Sequence, residues 1–473
     1  MPRTHKVSDV VNWGRRNRII NPLDTITRFY LESDRFNGYA FSKLGTELGM
    51  DFKAAFDFAK EHVSNGMLTA NFGDIHLNPH IKAFSDEPQK NVITKLNQYK
   101  DEMCENFRQH SDNESENSIS INTEKYVVSF ATGKTVCLYP TRSHLELVVN
   151  PDDYRDRPYT YEMTLGAGQL EFRYFDIIVL EFYRNDPRYY YKCDDINGHI
   201  SIHDDHYYDN SMAEKDKVLL ETFGFAYNNN LHRAVTTFVY YISKLSPEHQ
   251  QVWKNRELDS AEYKPHPDYY RNNVIGDWGE KLPICTAFLM ELKIINQMCN
   301  AMNRPHLFRN DFGEDNRPRN FSFLVRPTHK EYYDFVGLLD KMMSDNINKN
   351  FFQNDVSDQV EEERSDGKII VKNKGTIKML EEWINRSFRP HDRKQLDEIF
   401  KSFRKVRKER QRPAHAVDDN IFDQKYFADQ RQILSKAYNA IRTIRLVLAN
   451  NPAVKAAKID IPQELYEGKI WDC

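Results

Sequence analysis

Apolar residues recur at helical spacing toward both ends of this chain and alternate in its middle, and the change of period divides it. Near the start, Leu23 to Leu31 predicts a helix, Tyr39 to Leu48 a second that Gly49 stops, and Asp51 to Val63 a third with Phe52, Ala55, Phe56 and Ala59 inward. Residues 86–118 lose all periodicity and carry the run HSDNESENS, which reads as a polar linker. From about Ile119 short runs such as Tyr126 to Phe130, Thr135 to Tyr139, Leu170 to Tyr174, Ile177 to Phe182 and Val235 to Ile242 predict strands. Arg188 to Cys193 and His199 to His203 flank Asn197-Gly198 as a hairpin would. Lys281 to Met302 is an apolar helix with Pro283 in its first turn, suited to a core or a dimer interface.

Helical spacing then dominates. Thr328 to about Ile347 carries Tyr332, Phe335, Leu338, Leu339, Met342 and Met343 on one stripe. An acidic loop over Asp355 to Gly367 leads to a helix that Thr376 is placed to cap, bearing Ile377, Leu380, Trp383 and Ile384. A third helix opens near Asp392 with Leu396, Ile399, Phe400, Phe403 and Val406 on one face. A long helix from about Gln424 to Ala449 stops before Asn450-Asn451-Pro452.

These patterns predict a multidomain α+β chain: residues 1–85 helical with a short β element, 86–118 linker, 119–275 a β-rich or α+β middle domain, 276–324 an apolar helix and connection, and 325–473 an all-α bundle with a tail. A length of 473 residues is ample for about three domains. Three helices in that order, the Gly49 turn and a candidate wing at Met67 to Leu77 resemble a winged helix-turn-helix domain. Its third helix offers Asp51, Lys53, Asp57, Lys60 and Glu61, whose charges nearly cancel, so protein contact or assembly is favoured over DNA reading.

Charge sharpens the picture at one place. Against a net charge of −4, Lys401 to Arg412 holds seven cations, Lys401, Arg404, Lys405, Arg407, Lys408, Arg410 and Arg412, and a single acid, Glu409. A polyanion is the natural partner of such a run, and these cations are the candidate nucleic-acid-binding residues. The run ends Arg410-Gln411-Arg412-Pro413-Ala414-His415, where Pro413 bends or ends the helix. Arginine supplies a permanent planar cation to stabilise negative charge on phosphorus, and histidine titrates near neutrality and moves protons. The two types divide the work of cleaving RNA without a metal.

Arg410, Gln411, Ala414 and His415 match by position the Arg-x4-6-His motif of the HEPN superfamily, which the region of about 325–450 resembles. The resemblance implies a helical bundle acting as an endoribonuclease in a toxin or antiviral defence role. Arg410 and His415 would be catalytic, Gln411 would position them, and the site would form at a homodimer interface without a cofactor. A different class of function also fits these residues: a non-catalytic adaptor whose helical domain dimerises or holds nucleic acid, with a protein partner on the N-terminal domain.

Other chemistry is poorly supported. His199, His203, Asp204, Asp205, His206 and Asp209 include metal-ligand types, but His206 follows in an acidic loop and a solvated surface is the better reading. Asp176, Glu181 and Asp186 lack a nuclease lysine and do not share a strand face. Cys104, Cys137, Cys193, Cys285, Cys299 and Cys473 form no CxxC pair. Phosphate-loop, dinucleotide, nucleophile-elbow and HExxH motifs are absent from the sequence. No run approaches the ~18 apolar residues of a membrane span, and Met1 to Asn21 lacks a signal-peptide core, so a cytoplasmic protein without membrane partners is expected.

Overall fold

The computed structural model describes residues 21–33, 36–74, 88–111, 134–194, 196–209, 212–230, 232–277, 281–313, 316–353, 355–363, 369–389, 393–411 and 419–471. It is a mixed α+β chain in two compact units, one formed by Met1–Arg173 with Phe238–Lys254, the other by Tyr174–Thr237 with Asn255–Cys473. Among the described residues no helix is long and apolar enough to cross a membrane.

The first unit opens with α1 (Pro22–Glu32), begun by the Asn21 side chain accepting from Leu23 N, then β1 (Tyr39–Ala40), α2 (Ser42–Thr46) and α3 (Phe52–Ser64). Asp51 caps α3 by accepting from Ala54 N, and Ala55, Phe56, Ala59 and Val63 are its buried face. The Tyr39 to Leu48 helix expected from spacing is shorter, because Tyr39 and Ala40 pair as a strand. After β2 (Leu68–Asp74) the polar stretch read as a linker forms α4 (Gln89–Ser111), with Val92, Leu96, Tyr99 and Met103 buried. A stripe of one apolar residue per turn is too sparse to register against so polar a background, yet it suffices to dock a helix. β3 (Lys134–Pro140) lies between β1 and β2, antiparallel to both, so Thr135 to Tyr139 completes the N-terminal sheet instead of starting a middle domain. The run Tyr126 to Phe130 lies outside the described residues. α5 (Arg142–Val148) and α6 (Pro158–Thr164) follow.

β4 (Phe172–Asp176) begins a sheet with β5 (Tyr189–Cys193), β6 (Asn197–Ile202), β7 (Leu219–Tyr227) and β8 (Arg233–Phe238), in the order β4-β8-β7-β6-β5. Its neighbour in sequence, Ile177 to Phe182, was expected to be a strand and is instead a 3-10 turn, Ile177–Leu180, followed by α7 (Glu181–Arg184). The Asp176 side chain, accepting from Ile178 N at 2.9 Å, ends extension there and starts the turn. β5 (Tyr189–Cys193) and β6 (Asn197–Ile202) form an antiparallel hairpin, with Asn197 and Gly198 inside β6 rather than at the turn. α8 (Asp204–Tyr207), β7 (Leu219–Tyr227) and β8 (Arg233–Phe238) come next. The apolar run Val235 to Ile242 changes from β8 into α9 (Val239–Ser243) at Phe238, since a fully buried run gives no period by which to separate strand from helix. α10 (Pro247–Lys254) ends this return to the first unit, where Gln250, fully buried, accepts from Tyr159 N and Thr160 N and donates to the carbonyls of Ser243 and Leu245.

The chain then passes β9 (Lys264–Pro265), paired with β7, α11 (Pro267–Tyr270) and β10 (Leu282–Pro283), and enters a helical region. α12 (Ile284–Ala301), α13 (His329–Met343), α14 (Thr376–Ser387), α15 (Lys394–Gln411) and α16 (Lys425–Leu448) share one apolar core. α15 packs on α13, α14 and α16, and α12 on α16. Glu291 and Arg445, both buried, form an ion pair across the α12–α16 contact. Thr376 is the first residue of α14 and not its cap; its hydroxyl donates to Ser344 O at 2.8 Å. Within the stretch read as an acidic loop, Gln359–Glu363 pairs antiparallel with Ile369–Asn373, and these strands are β11 and β12.

Candidate functional site

The site grows from the register of α15. Leu396, Ile399, Phe400, Phe403 and Val406 turn into the core, so Lys401, Arg404 and Lys408 are left exposed and Arg407 and Arg410 lie on a flank toward the last turn of α13. There Asp340, at 0% exposure among Val336, Leu339 and Met343, holds both arginines. Arg407 Nε donates to it at 2.9 Å and Arg410 Nη1 at 2.7 Å. Asp345, just beyond α13, accepts from Arg407 Nη2 at 2.6 Å and from Arg410 Nη1 at 2.7 Å. A buried carboxylate is tolerated only with such compensation, and removing a partner typically costs about 3–5 kcal/mol. Asp340 and then Asp345 hold the Arg410 guanidinium above the ordinary arginine range, so its charge is permanent.

Arg410 therefore sits in the last turn of α15 in a quartet of two arginines and two aspartates, with 37% of its side chain exposed. Gln411 is exposed at the helix end. Arg412, Pro413, Ala414 and His415 lie outside the described residues. Beyond the motif, residues 420 and 421 meet the start of α13: His329 N donates to Ile421 O at 2.8 Å and Lys330 N to Asn420 Oδ1 at 3.0 Å.

The remaining cations are less available than their sequence suggests. Arg404 pairs with Glu381 of α14, Lys401 Nζ lies 2.7 Å from Glu398 Oε1, and Lys405 Nζ donates to Gln432 Oε1 at 3.3 Å. Glu398 holds Lys401 above the usual lysine range, though that pair is largely in solvent. Among the described cations of α15, Lys405 and Lys408 make no carboxylate contact, and Lys408 is exposed. Reading the run as open positive charge missed Asp340, Asp345 and Glu381. One of these was detectable: Asp340 interrupts the apolar stripe of α13, where an unpaired acid would be costly.

The set-aside clusters have structural employment. Asp186 is bound by Arg188 at 2.7 Å, and Glu181 pairs with Arg184 and Arg326. His203 Nε2 accepts from Arg319 Nη2 at 3.3 Å, and His199 stacks on Tyr190. Among the described residues no group of three or more His, Cys, Asp or Glu is arranged to hold a metal. At the start of α13 a polar cleft of about 390 Å³ is lined by Arg184, Arg326 and Lys330 with Glu181, Glu331 and Asp334, so its charges compensate internally. No family model, curated protein or solved structure matches the chain.

Proposed function

We propose that the helical region ending in α16 is a metal-independent RNA endonuclease in which Arg410 stabilises negative charge at phosphorus and His415 transfers the proton. One observation carries this reading: the Arg410 guanidinium, five residues before His415 in the sequence, is braced by Asp340 and Asp345, each at 2.7 Å, while over a third of its side chain stays exposed. A braced cation loses little conformational freedom when it meets a phosphate, which favours charge stabilisation in a transition state. The 2′-hydroxyl is the nucleophile, and a 2′,3′-cyclic phosphate is left. The protein works as a homodimer with two Arg-His pairs facing one groove, in toxin or antiviral defence. In the first unit the order α1-β1-α2-α3-β2, with β3 lying between β1 and β2 in the sheet but reached only after α4, supports a winged-helix reading, and the balanced outer face of α3, with Lys53, Asp57, Lys60 and Glu61, suits a protein contact.

A second reading has its own observation, because the same quartet lets Arg410 serve only to neutralise Asp340. Purified protein incubated with total RNA in EDTA separates the two. With catalysis, cleavage persists in chelator, and Arg410→Ala and His415→Ala each lower turnover by ~100-fold or more, while RNA affinity falls by a few fold at most. Cleavage that requires added Mg²⁺ defeats the mechanism. Loss of thermal stability in Arg410→Ala, with no RNA cleavage by the parent, favours the structural role.

A further inference from the structure

We infer that carboxylates on neighbouring helices act as built-in competitors for polyanions on α15, so that RNA phosphates engage Arg404, Arg407 and Arg410 by displacing Glu381 and Asp345. The inference rests on the reading of α15 as an RNA-binding element and concerns how that element is held in check.

The acids come from separate elements, and both reach cations of α15. Glu381 of α14 reaches Arg404, and Asp345, after α13, reaches Arg407 and Arg410. Asp340 has no access to solvent and fixes the positions of its two arginines whatever else binds. Glu381 and Asp345 differ from it in being 29% and 42% exposed, and Arg404 is 55% exposed. Pairs this open to water add little net stability, so they are cheap to break. A phosphodiester offers a guanidinium the same paired oxygens that a carboxylate does, and it can exchange for one in place. Until it does, every masked cation is one fewer site from which RNA binding displaces counterions. The masking thus lowers both the affinity and its dependence on salt.

Neutralising the mask should strengthen binding, an outcome that a loosened fold would not produce. The test uses the full chain with Glu381→Gln, Asp345→Asn and the double variant, and with Asp205→Asn, an exposed acid of α8, as a control for net charge. The probe is a fluorescent 2′-O-methyl oligouridylate, which lacks the hydroxyl that cleavage needs, followed by anisotropy across a range of salt. Each single variant is expected to bind ~3- to 5-fold more tightly, and the double ~10-fold or more. The slope of log affinity against log salt steepens by about 0.7 per unmasked cation. The control stays within about twofold of the parent. Salt-dependent binding by the parent, with variants no tighter and no steeper, overturns the masking alone. Absence of salt-dependent binding in the parent and every variant overturns the RNA reading and the masking with it.

Discussion

A charged side chain shut away from water keeps its place only by the company it has, and two aspartates of this chain show the range. Asp340 is inaccessible and answered by two guanidiniums, so its replacement strands cations as well as removing an anion. Asp355 is more open: its Oδ2 lies 2.5 Å from Arg304 Nη1 and accepts from Trp383 Nε1 at 2.9 Å. Arg304, with Trp383 assisting, holds the Asp355 carboxyl below the usual carboxylate range. A depressed folded pKa means stability that is present above the ordinary value of about 4 and is lost as pH falls through the folded value. Asp355→Asn should therefore cost about 1 kcal/mol near pH 7, a modest figure because the pair is one-third exposed, and progressively less as pH falls through the lowered folded value. Urea unfolding of both proteins across that range checks it; a gap that stays constant with pH would show that the charge on Asp355 is irrelevant to its role.

Among the elements, the hairpin of β11 and β12 contrasts with the helices it interrupts. Ile369 and Val371 are 64% and 53% exposed on it, and a two-stranded sheet with so little burial holds together only weakly. Replacing 360–372 with a short Gly-Ser turn should leave the melting temperature of the helical region within a few degrees, and a large drop in calorimetry would reveal that the hairpin supports the core. The contrast also shows what could be read in advance. α13, α15 and α16 were legible because Phe335, Leu339, Phe403, Ile441 and their neighbours repeat at three and four over many turns. α4 was not, since Val92, Leu96, Tyr99 and Met103 are single apolar residues in a polar sequence. The hairpin was hidden by Glu361, Glu362 and Glu363, which have low strand propensity and pair only because the chain folds back on Ile369, Ile370 and Val371. At the site, Arg410 stood out by its spacing from His415. Its partners Asp340 and Asp345 did not, because they lie 70 and 65 residues away and only tertiary packing joins them.

For the whole molecule, the path of the chain through its two units matters more than their sizes. The first unit is made of two stretches, and its second stretch supplies Gln250, whose fully buried amide closes the otherwise unmet N–H groups of Tyr159 and Thr160 at the start of α6. During synthesis, then, the first 173 residues leave the ribosome without the groups that complete them, and must wait while 174–237 are made before 238–254 arrive. At translation rates of roughly 5–20 residues per second, that delay is several seconds, long enough for a chaperone to engage the waiting surface. A chain released after Arg173 should be insoluble or rapidly degraded, and supplying residues 238–254 as a separate peptide should protect it from limited proteolysis.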